Sequence, residues 1–94
     1  MKNLEETIKP MMSDNYKERF RAEYWQTKIR YEKLHKTIIK LEAGTLNYKP
    51  TCSIELLKEQ ARKMGEYLYT LEIRSEKECI DLDYEYGRRV SVSF

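Results

Sequence analysis

Ten residues between positions 16 and 31 combine the two side-chain types that hold nucleotides: Tyr16, Lys17, Arg19, Phe20, Arg21, Tyr24, Trp25, Lys28, Arg30 and Tyr31. Planar guanidinium groups grip phosphate oxygens at two points, and aromatic rings stack on bases. Arg21, Trp25 and Lys28 fall at i, i+4 and i+7 on one helix face, and Tyr24 and Lys28 are i, i+4 neighbours. The expected ligand-binding set is Tyr16, Arg19, Arg21, Tyr24, Trp25, Lys28 and Arg30. In it Arg19, Arg21, Lys28 and Arg30 neutralise phosphates, while Tyr16, Tyr24 and Trp25 stack on bases or close the pocket. The 8 tyrosines of the chain also suit amphipathic core and interface positions, so both readings stand at this point.

Other chemistry finds less support. The chain has no Gly-rich phosphate loop, no H-E-x-x-H, no G-x-S-x-G and no Cys-His pair at a recognisable spacing. A binding protein without catalytic residues or cofactor is expected, since no acid, base and nucleophile constellation is visible. Asp81, Asp83 and Glu85 alternate along the sequence and could offer carboxylates to a hard cation. A solvated strand face that discourages edge pairing explains them as well, and no metal site is expected. His35, beside Leu34 and among lysines, reads as a surface or packing residue. Two cysteines, Cys52 and Cys79, with one histidine cannot assemble a spaced structural zinc site.

Composition sets the outer limits. A chain of 94 residues and 11.4 kDa makes one small domain, which buries about 65% of the surface its unfolded form exposes. With 36% charged and 40% hydrophobic residues and a mean hydropathy of -0.82, it is too polar to span a membrane but apolar enough to fold. The net charge of +2 comes from 18 basic and 16 acidic residues interleaved along the chain. Strong phosphate-backbone binding needs a concentrated basic face, so duplex DNA is not an expected partner. The opening MKNLEETIKP lacks the apolar region of a secretory signal. A cytoplasmic location with both thiols reduced follows as the expectation.

The elements that must position these residues are helical. Phe20, Tyr24, Thr27, Tyr31, Leu34, Ile38 and Leu41 keep a strict 4,3 spacing, the seam of a coiled coil. Ser13 or Asn15 can cap this helix, and Asn15 would place Glu18 at the reciprocal capping position; Gly44 suits the left-handed end. After Pro50 and the cap residue Ser53, a second seam runs through Ile54, Leu57, Ala61, Met64, Leu68 and Leu71. Two such seams predict an antiparallel helical hairpin with helices of roughly 27 to 31 residues. Gly65 lies inside the second helix, either for close packing or as a tolerated cost of about 1 kcal/mol. Trp25, Ile29, Ile39, Leu56, Tyr67 and Ile73 remain outside the seams, and such faces want a partner, so a homo-oligomer is expected.

Beyond Ile80 the pattern alternates, predicting a C-terminal β-hairpin with Tyr86 paired to Val90, Tyr84 to Val92 and Leu82 to Phe94. The expected fold is thus mainly α, a coiled-coil-like antiparallel two-helix hairpin with a short β-hairpin. Its divisions are a separate arm over 1–12, in which Pro10 stops a helical turn, a hairpin domain over 13–80 and a strand tail over 81–94.

The pieces ERFRAEY, KLHK, EAGTLNYKP and IELLKEQARKMGEYLYTLEIR lie within Tyr16 to Leu82. That stretch resembles a family of small phage and prophage proteins named for a crAss-like phage member. The resemblance implies a viral accessory protein acting in the cytoplasm of a host bacterial cell, and it transfers no catalytic residues. A short arm followed by an oligomerising hairpin also looks like the anti-CBASS and anti-Thoeris sponges, which sequester nucleotide immune signals. The implied function is phage counter-defence by sequestering a cyclic oligonucleotide or ADP-ribose type signal. Two alternatives remain: an inhibitor or adaptor gripping a host protein through helix faces or added strands, and a structural coiled-coil component.

Overall fold

The computed structural model describes residues 1–84. A single 3-10 turn (Glu5–Thr7) leads into one helical turn, α1 (Ile8–Met11), and then into two long helices, α2 (Tyr16–Ala43) and α3 (Ile54–Lys77). Asn15 caps α2 by accepting from the Lys17 amide at 2.9 Å. The reciprocal contact from Glu18 is not made, because Ser13 Oγ takes the Asn15 amide at 3.1 Å. Gly44, at φ 75°, ends α2, and the Thr45 amide reaches back to the Lys40 carbonyl at 2.9 Å. Ser53 caps α3 through the Leu56 amide at 3.2 Å.

At 28 residues α2 falls in the expected range, whereas α3 has 24. The second helix stops early because Cys79 adopts φ 54° and lets the Ile80 amide donate to the Ser75 carbonyl at 2.8 Å. This is the left-handed cap usually made with glycine, here carried by a residue that finds it costly.

The helices pack antiparallel, with Tyr24 bonded to Glu72 and Glu42 to Lys58. Every residue of both expected seams is buried or half-buried. The core joins Phe20, Tyr24, Leu68, Leu71 and Ile80, with Trp25, Tyr31 and Leu82 packed around it. Residues 1–12 lie along the far side of α2. Pro10 does not stop their helical turn but sits inside it, near the helix start where a missing N–H costs little. Thr7, at 1% exposure, donates to the Leu4 carbonyl and accepts from Gln26 Nε2 at 2.9 Å, which ties the arm to α2. Among the described residues no helix is long and apolar enough to cross a membrane.

The expected C-terminal β-hairpin is contradicted where it can be seen. Ile80 to Tyr84 form no strand; Leu82 and Asp83 make a turn instead. Asp81 accepts from the Asp83 amide at 3.0 Å through its side chain and from the Tyr84 amide at 3.3 Å through its carbonyl. Two α2 side chains also donate to this turn, Arg21 Nε to the same Asp81 carbonyl at 2.6 Å and Trp25 Nε1 to the Leu82 carbonyl at 2.7 Å. With these groups engaged, Ile80 is free to enter the core, and the alternation of apolar residues serves a turn folded onto α2. The residues assigned to the second strand, Val90, Val92 and Phe94, lie outside the described residues.

Candidate functional site

Helical geometry divides the expected ligand-binding set between two flanks of α2 and the core. Arg21, Trp25 and Lys28 share the flank covered by the C-terminal turn, where Arg21 also stacks 4.7 Å from the centre of the Tyr84 ring. Tyr24, at 5% exposure, belongs to the core, its hydroxyl donating to Glu72 at 2.7 Å and its ring meeting Trp25 edge-on at 5.3 Å. Burial above all, then the Glu72 carboxylate, pushes the Tyr24 phenol well above its ordinary range. Tyr16, Arg19 and Arg30 project on the opposite flank. Of these, Tyr16 and Arg19 meet at one groove, while exposed Arg30 lies more than two turns further along.

That groove, of about 570 Å³, opens where α1, α2 and α3 come together, and it is lined by Tyr16, Arg19, Phe20, Glu23 and Arg74 with Met11, Gln26 and Thr27. The Arg74 guanidinium lies 4.8 Å over the Phe20 ring, and its Nε donates to Glu78 at 2.8 Å. Arg19 is anchored from the other side by donating to the Ser13 carbonyl at 2.6 Å. Each anchor uses one donor, and among the described residues the other N–H groups of both arginines have no partner. Glu23 accepts from the Tyr67 hydroxyl, which raises the Tyr67 pKa. The groove therefore offers two held guanidiniums, one exposed aromatic ring from Tyr16 and one carboxylate acceptor, with the buried Phe20 ring backing Arg74, a set that suits phosphate, base and ribose hydroxyl.

A groove of about 640 Å³ on the other side of the hairpin, between Tyr31, Gly65 and Tyr69, is larger but has its cations neutralised. Lys58 pairs with Glu42 at 2.8 Å, and Arg62 is gripped by Glu59 and Glu66. An anionic ligand there would compete with three carboxylates, against the single Glu78 that pairs with Arg74 in the first groove. Arg74 and Glu23 were not singled out from the sequence. Arg74 comes from the last turns of α3, and the only sign of it was its position seven residues beyond Tyr67 on the same face.

The remaining sequence candidates settle simply. His35 is exposed and stacks on Tyr31, with ring centres 6.1 Å apart. Asp81 and Asp83 are engaged in the turn, and Glu85 lies outside the described residues. Among the described residues no group of three or more His, Cys, Asp or Glu side chains could hold a metal ion.

Compared with known proteins, the chain is similar to the family described as Sequestin, whose model matches residues 14–77. The matched span contains both seams and every lining residue of the Arg19 and Arg74 groove except Met11. No curated protein and no solved structure matches the chain.

Proposed function

Because the chain belongs to the Sequestin family, we propose that it is a sequestering protein that binds a nucleotide immune signal, of cyclic oligonucleotide or ADP-ribose type, in phage counter-defence. The family name fits retention of a ligand, and the observation that carries the nucleotide reading is the groove where Arg19 and Arg74 stand beside Tyr16 and Phe20. Arg19 and Arg74 bind phosphate oxygens, Tyr16 stacks on a base, and Glu23 accepts from a ribose hydroxyl or base amine. Phe20 supports Arg74 from below, so the guanidinium is positioned before the ligand arrives. Sequestration of this kind needs slow release and an excess of protein over signal, and no bond is made or broken.

The test is a melting-temperature panel of cyclic dinucleotides, cyclic trinucleotides and ADP-ribose derivatives. A ligand at 100 times its Kd adds about 2.7 kcal/mol to stability, a shift of several degrees for a domain of this size. A selective shift that is lost in Arg19→Ala and Arg74→Ala supports the reading. A flat panel refutes it and directs the search to a protein partner. A shift indifferent to both substitutions places the ligand elsewhere on the hairpin.

A further inference from the structure

The groove of Arg19 and Arg74 has one wall that the two long helices do not supply. Met11, half-buried at the end of α1, lines it beside Tyr16 and Arg19. A 3-10 turn followed by a single α turn does not hold its shape alone, because too few backbone bonds offset the cost of nucleating a helix. Tertiary contacts hold the arm instead. Pro10 is buried, and Thr7 uses its buried hydroxyl twice, donating to the Leu4 carbonyl at 2.6 Å and accepting from Gln26 Nε2 at 2.9 Å. Gln26 itself lines the groove, so the residue that tethers the arm belongs to the site. The backbone carries the link onward: the Ser13 amide donates to the Pro10 carbonyl at 3.2 Å, and the Ser13 carbonyl accepts from Arg19 Nη1 at 2.6 Å. A continuous path therefore runs from the buried Thr7 hydroxyl through α1 to the Arg19 guanidinium.

The two kinds of groove residue also divide at the start of the family match. Arg19, Glu23 and Arg74 lie within residues 14–77, whereas Thr7, Met11 and Ser13 precede them. A guanidinium grips any phosphate, while an apolar wall responds to whatever the phosphate is attached to. Given the nucleotide reading on which the ligand's class rests, we infer that the amino-terminal arm is part of the ligand site. Thr7 is the positioning residue for Arg19, and Met11 determines which nucleotide the groove retains.

Isothermal titration of the full chain tests this with four probes: inorganic pyrophosphate, ADP-ribose, cyclic di-AMP and cyclic tri-AMP. Thr7→Val keeps the side chain's shape and removes its hydroxyl. Affinity for each probe that the wild type binds should fall about 10-fold, the effect of one weakened bond to a charged group. Thr7→Ser keeps the hydroxyl and should bind as the wild type does. Met11→Ala should weaken the base-bearing probes about 5-fold relative to pyrophosphate, because the lost contact lies beside the base; a general loss of stability would not produce that split. Without any ligand, the Arg19 Nε–H resonance in nitrogen-15 spectra should move in Thr7→Val and return in Thr7→Ser, with the Arg74 resonance unmoved. Circular dichroism checks that each variant keeps its helices. A wild type that binds while Thr7→Val and Met11→Ala bind every probe equally well overturns the inference and leaves the nucleotide reading standing. So does an Arg19 resonance indifferent to Thr7→Val. A wild type that binds none of the four refutes the nucleotide reading and the selectivity of Met11 with it, and the Arg19 resonance then decides the positioning by Thr7.

Discussion

Replacing Tyr24 by Phe removes one hydroxyl from the core and leaves the ring in place. The hydroxyl donates to Glu72 Oε2 at 2.7 Å, and Glu72 is half-buried beside the core residues Leu68 and Leu71. A hydrogen bond to a charged acceptor contributes about 1.5 to 3 kcal/mol. Water can reach the half-buried carboxylate, so a loss of about 1 to 2 kcal/mol at pH 7 is expected. The pH dependence carries the sharper test. The folded phenol titrates above its ordinary value of 10.0 because burial and then Glu72 disfavour the phenolate. A raised folded pKa means that this stability is fully present below the unfolded pKa. It is lost as pH rises toward the folded pKa, because only the unfolded chain releases the proton. The wild-type advantage over Tyr24→Phe should therefore shrink by about 1.4 kcal/mol per pH unit above roughly pH 10. Urea unfolding at pH 7, 9, 10 and 11, with both proteins at one fixed concentration, measures the gap, and Tyr67 contributes equally to both. A gap that stays constant from pH 7 to 11, or a variant as stable as the wild type at pH 7, would refute the assignment of a buried phenol to Glu72.

Three further outcomes follow from the packing. Gly65→Ala should raise stability by up to about 1 kcal/mol, because the added Cβ meets Tyr31 at an ordinary 3.5 Å; a lower melting temperature would show that Tyr31 cannot yield. Ile80→Ala should cost about 2 to 4 kcal/mol, since Ile80 is 5% exposed within the core cluster, and a loss near zero in chemical denaturation would mean that the turn does not close the hairpin. Deleting residues 81–94 should keep the helical circular dichroism but shift Trp25 fluorescence to the red, because the indole N–H loses the Leu82 carbonyl; an unchanged emission maximum would place the turn elsewhere in solution.

Much of the fold was legible because helices write their contacts at a fixed period. The 4,3 spacing from Phe20 to Leu41 and from Ile54 to Leu71 identified residues that are all buried or half-buried, and Asn15, Gly44 and Ser53 ended the helices as their chemistry requires. The alternation after Ile80 misled because period two describes side-chain direction in a strand but does not supply a partner for its backbone. Asp81 bonds its own turn, and Arg21 and Trp25 take the carbonyls that a ladder would have used. The arm misled in a different way, since nothing local in NLEETIK tells that Thr7 will meet Gln26.

The candidate site shows the same division. Sequence identified an α2 rich in rings and cations, and spacing placed Arg21 with Trp25 on one face. It could not tell which flank would be covered by the C-terminal turn and which would stay open beside α3. That choice depends on the rotation of α2 against α3, fixed by Phe20 and Tyr24 packing on Leu68 and Leu71. The sequence by itself determined the helices, their ends and their seams, because these follow from local backbone bonding and a repeat of apolar side chains. Only the tertiary structure decided that Arg19 should share a groove with Arg74, 55 residues away along the chain, because that meeting is a property of the packed pair and of neither helix alone.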